Sequence, residues 1–546
     1  MIHTFAVIVT VGWLASTLWF MTVLLQSFQL HEYDNARFLT WSLQKWPQVI
    51  RPLSLIVLLV ALIPALALDP AAPATGVVLG VTVVWAVTTV VSIRREKQAQ
   101  ATVIKPLVYT SRVKRLVGGG LLILISEAVL IFGTSFGFSL AGPVASTRFL
   151  LVLASLSLVE QLTFVNVVLT NLLLFPVEES LRRYYVRSAR ARLRAVDPVV
   201  IGITGSYGKT STKEILAHLL SAKYSTLKTP KSYNTLMGIC KVIREELKPH
   251  HRYFVVELGA YKPGEIAQLC RVVKPRIGIL TAVGPQHLER FKTIENVARA
   301  KNELIESLPP DGVAIFNGDD PVCVRLSQQA QVKTLLYSTR ASEPQSDLHG
   351  RDLSLTSTGM TFNIVHDGRP PQPVRTVLLG RHNASNILGA TLAALECGLS
   401  LREITQAIAS LPPIEHRLQL IQGSHKITYI DDAYNANPLG AAMALEVLGT
   451  LEGRKFLVTP GLVELGSRED EENKKLGQQA AAVCDYVFLV GDPYRVGPIL
   501  SGLRQQCFDD SKVFRVDSLH QAREKLRDMV KPGDVILFEN DLSDIY

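Results

Sequence analysis

Five long apolar stretches crowd the first 176 residues, at about Phe5 to Leu25, Leu53 to Leu68, Gly76 to Ile93, Leu116 to Leu140 and Phe149 to Phe175. Each has, or nearly has, the ~17–25 residues that take a helix across a hydrocarbon core. Residues 1–176 are therefore expected to form an α-helical transmembrane region of about five spans. The second stretch is the shortest and contains Pro64, which leaves a re-entrant or interfacial segment as its other reading. Charge follows the same division. Residues 1–195 hold 17 Lys and Arg against 8 Asp and Glu, and the remainder 40 against 40, so the whole formal charge of +9 belongs to the front. Its basic residues gather in the loop after the third stretch (Arg94, Arg95, Lys97, Lys105, Arg112, Lys114, Arg115) and after the fifth (Arg182 to Arg194). The positive-inside rule puts both on the cytoplasmic side of a cell membrane, with the N-terminus outside and the rest of the chain cytoplasmic. Only His3 precedes the first apolar run and further spans follow, so a cleaved signal peptide is not expected.

Between them, residues 177–195 (VEESLRRYYVRSARARLR and the alanine after it) read as a basic interfacial linker helix against anionic membrane lipid. Glu127, Glu160, Asn166 and Asn171 fall inside apolar stretches, where polar groups either line a path, here for a lipid-linked substrate, or bond helix to helix. The rear half is neutral and shows no aromatic-interleaved basic surface, so nucleic acid is not an expected partner.

From residue 196 the pattern changes to α/β. Short apolar runs at Val199 to Ile203, Tyr253 to Glu257, Ile277 to Thr281, Gly312 to Asn317 and Thr334 to Tyr337 alternate with helical periodicity, which predicts a largely parallel sheet covered by helices. Ser338 to Pro373 contains alternating runs that suggest a small antiparallel excursion. Leu411-Pro412-Pro413 marks a boundary, giving a central domain over 196–411 and a smaller Rossmann-like α/β domain over 412–546. Six cysteines, at 240, 270, 323, 397, 484 and 507, never approach CxxC spacing, so buried free thiols in a reducing compartment are expected and a zinc ribbon is not.

Gly202 to Glu214 read GITGSYGKTSTKE, a β-like run entering a glycine-rich turn and then a helix. That order presents backbone N–H groups and the positive end of a helix to phosphate oxygens, with Lys209 reaching the outer phosphates and the Thr210 hydroxyl holding Mg²⁺. The general GxxxxGK[ST] spacing fails, because its first position is Ile203. The narrower pattern Gly205-x-x-Gly208-Lys209-Thr210-Ser211, with Ser206 inside it, resembles the ATP loop of the Mur ligases, which join a carboxylate to an amine during peptidoglycan precursor synthesis. Later segments extend the resemblance over nearly all of residues 196–535, in closest detail to the MurF type.

The resemblance implies a P-loop, parallel-sheet ATPase domain followed by a C-terminal domain that closes over the nucleotide, with ATP and one or two Mg²⁺ as cofactors. In ELGAYKPGEIAQL, Glu257 stands at a strand tip and matches a magnesium-binding glutamate. TAVGPQHLERF carries His287, matching a magnesium-binding histidine. ENVARAKNEL carries Lys301, where the family has a lysine that reacts with CO₂; a carbamate there would turn a cation into an anion able to position a second Mg²⁺. NGDD and GRHNASN resemble adenine-holding segments and nominate Asn317, His382, Asn383 and Asn386, Asn-rich turns and helix caps being the other reading. HRLQ (Arg417) and IDDAYNANP (Asp432, Tyr434, Asn435) resemble residues that reach the nucleotide from the C-terminal domain. Asn234 in TPKSYNTLMG resembles part of an acceptor site.

Two departures bear on substrate. Apolar stretches stand where the family has a nucleotide-sugar-binding domain, which favours a lipid-linked or membrane-resident carboxylate as acceptor. FENDLSDIY replaces the segment in which the incoming amine is selected, and its acids Glu539, Asp541 and Asp544 suit an ammonium or form an exposed tail. The expected activity is a membrane-anchored ATP-dependent carbon–nitrogen ligase acting through an acyl phosphate on an amino acid or short-peptide amine. Its competitor is a transporter or flippase driven by a P-loop ATPase.

Overall fold

The computed structural model describes residues 2–67, 75–101, 105–136, 145–231, 233–286, 288–340, 346–356, 358–366, 368–433 and 437–540. The chain divides into a helical unit, up to Arg182, and an α/β unit, from Arg183.

The helical unit contains α1 (Ile2–Leu30), α2 (Asn35–Gln44), α3 (Trp46–Val49), α4 (Pro52–Ala67), α5 (Thr75–Ala101), α6 (Ser111–Phe136), α7 (Ala145–Gln161) and the first part of α8 (Thr163–Val196). Among the described residues, four of these are long and apolar enough to cross a membrane, over Phe5–Leu30, Thr75–Gln100, Ser111–Thr134 and Thr163–Val196. Two of the five expected stretches differ in form. Among the described residues α4, with Pro64 inside, runs for 16 residues. The stretch from Phe149 to Phe175 is two helices, because the chain turns at Leu162: Leu162 N–H bonds to Val159 O and Val165 N–H to Leu162 O. The polar residues beside this turn are paired. Arg51, buried, bonds to Glu160 and, at 2.7 and 2.8 Å, to both carboxylate oxygens of Glu96, while the Gln161 amide bridges the backbone of Arg51 through Oε1 and Nε2. A buried charge in an apolar bundle needs such partners. Of the other polar residues in the apolar stretches, Asn166 Nδ2 donates to Glu127 Oε2 (3.0 Å) and Asn171 accepts from Arg112 (3.1 Å), so helix-to-helix bonding is what the structure displays. Arg94, Arg95 and Lys97 lie on the end of α5, and Arg112, Lys114 and Arg115 on the first turns of α6, rather than in an intervening loop.

The α/β unit begins inside α8. Ala189 and Leu193 are buried in the core of the central domain, and Arg192 Nε donates to Leu247 O at 2.9 Å, so this stretch packs as part of that domain as well as carrying the expected basic residues. Then follow β1 (Val199–Thr204), α9 (Lys209–Ser221), β2 (Thr226–Lys228), α10 (Leu236–Glu245), β3 (Tyr253–Glu257), α11 (Glu265–Val273), β4 (Ile277–Leu280), α12 (Leu288–Phe291), α13 (Ile294–Glu306), β5 (Val313–Asn317), α14 (Pro321–Ser327), β6 (Lys333–Ser338), β7 (Leu348–Thr356), β8 (Gly359–His366), β9 (Gln372–Thr376), α15 (Arg381–Glu396) and α16 (Leu401–Ala409). The strand order is β2-β3-β1-β4-β5-β6-β7-β8-β9, parallel through β7 and antiparallel for the β7-β8-β9 excursion. Side chains alternate across the pleat: Ile201, Ile203 and Val255 pack under α9 and α15, and Val200, Phe254 and Val256 under α10, α11 and α13. The β-branched run at the head of β1 is thus buried on both faces, as a central parallel strand requires.

The C-terminal domain comprises β10 (Gln419–Gln422), β11 (Thr428–Asp432), α17 (Pro438–Thr450), β12 (Lys455–Thr459), α18 (Glu469–Val483), β13 (Tyr486–Val490), α19 (Pro493–Gln505), β14 (Val513–Val516), α20 (Leu519–Met529) and β15 (Val535–Glu539). Its order is β10-β11-β15-β12-β13-β14, with only β10 antiparallel. All six cysteines are free thiols, Cys507 exposed and the others buried.

Candidate active site

The turn after β1 sets the site. Gly205 and Gly208 take positive φ, 150° and 80°. A side chain on Gly205 would collide with the Thr281 hydroxyl and one on Gly208 with the Asn386 amide oxygen. The loop can pass this close only without Cβ atoms, which leaves the backbone N–H groups of the first turn of α9 facing the cavity. Ser206 closes the loop underneath, its hydroxyl donating to Gly284 O (3.1 Å) and accepting from Gly284 N–H (3.0 Å). Lys209 folds back so that its ammonium donates to Gly205 O at 2.7 Å and Ser206 O at 3.2 Å.

Parallel register puts Ile203 of β1 opposite Glu257 of β3, and Glu257 thereby reaches the head of α9. Thr210 Oγ1 donates to Glu257 Oε2 at 2.9 Å, and Asn234 Nδ2 to Glu257 Oε1 at 3.0 Å. Lys213, one helical turn beyond Lys209 and fully buried, lies 3.5 Å from Glu257 Oε2 while donating to Lys231 O at 2.6 Å. A hydroxyl and a carboxylate side by side at a strand tip are the hard oxygen donors that suit Mg²⁺, and the glycine cradle beside them suits a phosphate. The residues present therefore fit both groups.

These residues face a cavity of about 310 Å³ whose far wall comes from the C-terminal domain, through Arg417, Asp432 and Asn437. Lys301, from α13 and 2% exposed, opens onto the same space. Burial, and then the charge of Lys209, brings its ammonium down to about 7. Burial brings Lys209 to about 8, with Glu257 pulling the other way and Arg417 adding to the fall. Arg417 sits between two residues of positive φ, His416 at 56° and Leu418 at 45°, and strain of this kind in non-glycine residues collects at functional sites. Leu418 N–H in turn donates to Asp432 Oδ1 at 3.1 Å.

Of the four expected adenine contacts, His382 and Asn386 line the cavity. His382 is neutral near pH 7, burial holding it down at about 4, and its Nδ1 lies 3.1 Å from Met443 Sδ of α17. Asn386 Oδ1 accepts from Thr212 Oγ1 at 3.3 Å. Asn317 and Asn383 are not among the described residues of the cavity wall. Asn317 is engaged in its own turn, donating to Thr281 O (2.9 Å) and accepting from Asp319 N–H (3.0 Å). Asn383 is fully buried and bonds Leu379 O and the Asn386 amide, a supporting position behind Asn386. Gly205 lies behind the wall, whereas Ser206, Gly208, Thr210, Ser211 and Asn234 are on it. His287, Tyr434 and Asn435 lie outside the described residues, as do Asp541 and Asp544. Sequence reasoning passed over Lys213 and Thr281. Lys213 carried one signal, its i+4 spacing from Lys209 on the same face of α9; Thr281 carried none.

Residues 203–394 match the family model described as Mur ligase middle domain, and residues 416–539 that described as Mur ligase, glutamate ligase domain. The chain is similar to the UDP-N-acetylmuramoyl-tripeptide--D-alanyl-D-alanine ligase of Escherichia coli (strain K12), 33% identical over 317 residues, covering 57% of this chain and 68% of that protein. The ligase of the same name from Mycobacterium tuberculosis (strain ATCC 25618 / H37Rv) is 30% identical, covering 64% and 71%. Among solved structures, the MurF ligase of Thermotoga maritima in complex with ADP superposes with a TM-score of 0.58 at 27% identity, covering 66% of this chain and 80% of that one.

Proposed function

The chain belongs to the Mur ligase family and is an ATP-dependent ligase; on that premise we propose that it is membrane-anchored, activates a carboxylate as its acyl phosphate and joins it to an amine in making a cell-wall precursor. One observation carries this reading: Lys209, Glu257 and Lys301 of the central domain meet Arg417 and Asp432 of the C-terminal domain around a single cavity. A transport motor would have no use for that second domain.

In this reading Lys209 exchanges the carbonyls of Gly205 and Ser206 for the outer phosphate oxygens of ATP, and the N–H groups at the head of α9 hold the inner ones. Thr210 and Glu257 would hold Mg²⁺, which when bound neutralises charge on the transferred phosphoryl group. The Lys301 amine, neutral in about half the molecules near pH 7, reacts with CO₂, and the carbamate replaces a cation that repels Lys209 with an anion suited to a second Mg²⁺. His382 and Asn386 bound the nucleoside side, and Arg417 and Asp432 reach it from the second domain. His287, Tyr434 and Asn435 are proposed to join them, and Asn234 to touch the acceptor. Closure of the two domains keeps water from the acyl phosphate.

The names of the relatives specify UDP-N-acetylmuramoyl-tripeptide and D-alanyl-D-alanine. For this chain the proposed acid is lipid-linked or membrane-resident and the amine an amino acid or short peptide; the four candidate spans support a membrane-resident acid, and the basic residues at the ends of α5, α6 and α8 favour a catalytic part on the cytoplasmic side. Detergent-solubilised protein given ATP, membrane lipid extract or UDP-N-acetylmuramoyl-tripeptide, and candidate amines should release ADP in step with an amide product seen by mass. Lys209→Ala should lower turnover by about 10³-fold or more; normal ligation in that variant refutes the assignment.

A further inference from the structure

Lys213, on the second turn of α9, has no exposed side-chain surface and lies behind the cavity wall rather than on it. Its ammonium has three N–H donors and three oxygens around it: Lys231 O at 2.6 Å, Glu214 Oε1 at 3.3 Å and Glu257 Oε2 at 3.5 Å. The shortest of these contacts reaches the turn between β2 and α10. Lys231 takes a left-handed φ of 44°, a conformation that a non-glycine residue keeps only where its surroundings hold it. The same turn is tied to the tip of β3 on either side of Lys231. Before it, Thr229 Oγ1 accepts from Glu257 N–H at 3.2 Å; after it, Asn234 Nδ2 donates to Glu257 Oε1 at 3.0 Å and Asn234 O accepts from Gly259 N–H at 3.1 Å. Lys213 is thus where the helix that follows the phosphate loop, the turn carrying Asn234 and the strand carrying Glu257 meet. Glu257, Asn234 and Thr235 all stand on the cavity wall. A neutral side chain would fill this space at less cost than a buried ammonium. What the ammonium adds is a donor for each of three oxygens, one on the helix, one on the turn and one on the strand.

We infer that Lys213 is a positioning residue: through Lys231 O and Glu257 it sets the turn that presents Asn234 in register with the carboxylate proposed to hold Mg²⁺. The inference rests on the ligase reading above, and Lys213 acts from behind the wall through those two residues. Removing it has two effects of opposite sign. As a positive charge 3.5 Å from Glu257 Oε2, Lys213 repels a metal ion there, so loss of the charge alone tightens metal binding. As the fastening of the turn, it keeps Asn234 and Glu257 in place, so loss of the fastening lets both drift and weakens metal binding. Glu214 draws on the same ammonium from 3.3 Å and offsets part of the first effect, so the second prevails.

The test uses full-length protein in detergent with ATP, and Mn²⁺ in place of Mg²⁺ so that bound metal is read by electron paramagnetic resonance rather than by turnover. Lys213→Met keeps the length of the side chain without its donors or charge. It should weaken Mn²⁺ binding to the ATP complex about fivefold or more and speed amide exchange in residues 229–235 about tenfold. The Kd for ATP in EDTA should stay within about twofold, because the phosphate loop is untouched. Unchanged or tighter Mn²⁺ binding overturns the inference. So does a matching loss of ATP affinity in EDTA, which would make Lys213 a plain support of α9. Wild-type protein that binds no Mn²⁺ with ATP defeats the ligase reading first, and the positioning role with it. Should the variant not fold, the wild-type protein decides: Mn²⁺ added to the ATP complex should slow exchange in residues 229–235 several-fold, since a turn and a metal site fixed by one group become ordered together, and an unchanged rate overturns the inference.

Discussion

Two lysines lean on one another across the same small cavity, and the electrostatics of that pair is the most direct handle on the chemistry. Lys301 is held at about 7 by burial and by the charge of Lys209. Only its neutral form reacts with CO₂, and that fraction falls roughly tenfold between pH 8 and pH 6. Activity should therefore collapse in CO₂-depleted buffer, recover on adding bicarbonate, and need several-fold more dissolved CO₂ for half-recovery at pH 6 than at pH 8; ligation unaffected by CO₂ removal at either pH would show that Lys301 acts as a plain amine. The loop residues around Lys209 were readable because glycine, lysine and threonine at fixed spacing leave few other structures. Glu257 was readable because an apolar run ended on a carboxylate. Lys213 was not, because nothing local distinguishes a buried helical lysine from an exposed one. Its place is fixed by Lys231 O and Glu257, which a one-dimensional reading does not bring together.

At the level of elements, hydropathy located the helices of the front region but not their ends. The run from Phe149 to Phe175 contains no glycine or proline before Pro176, so nothing in it announced the turn at Leu162. That turn accompanies Glu160 and Gln161 meeting Arg51, a partner more than a hundred residues away. The short edge strands β2, β9 and β10 escaped for a related reason, since three to five residues carry too little alternation to be recognised. The head of α15 shows how one element supports another. Asn383 ties Leu379 O to the Asn386 amide, and Asn386 stands against Gly208 and Thr212. Asn383→Ala leaves both groups unpaired in a dry place, so chemical denaturation should show a loss of about 1–3 kcal/mol. The KM for ATP should rise with it, because the amide beside the phosphate loop is no longer held; a stability loss with unchanged KM would separate the two roles.

On the scale of the whole molecule, the boundary between helical and α/β parts is not where composition changes. Composition changes at residue 196, yet Ala189 and Leu193 already belong to the α/β core. A chain begun at Arg183 should fold and bind ATP with a Kd within about threefold of the intact protein, measured by nucleotide titration. One begun at Asp197 should lose about 2–5 kcal/mol through the vacated Ala189 and Leu193 positions and the bare carbonyl of Leu247. Equal stability of the two fragments would mean that the basic stretch serves the membrane alone. The cavity, meanwhile, draws its walls from two separately cored domains, which has a calorimetric consequence. Without nucleotide, calorimetry should show a melting transition for each hydrophobic core; ATP, gripped from both sides as proposed, would rivet the two transitions into one, so that the substrate determines whether this half of the molecule melts as a single cooperative body.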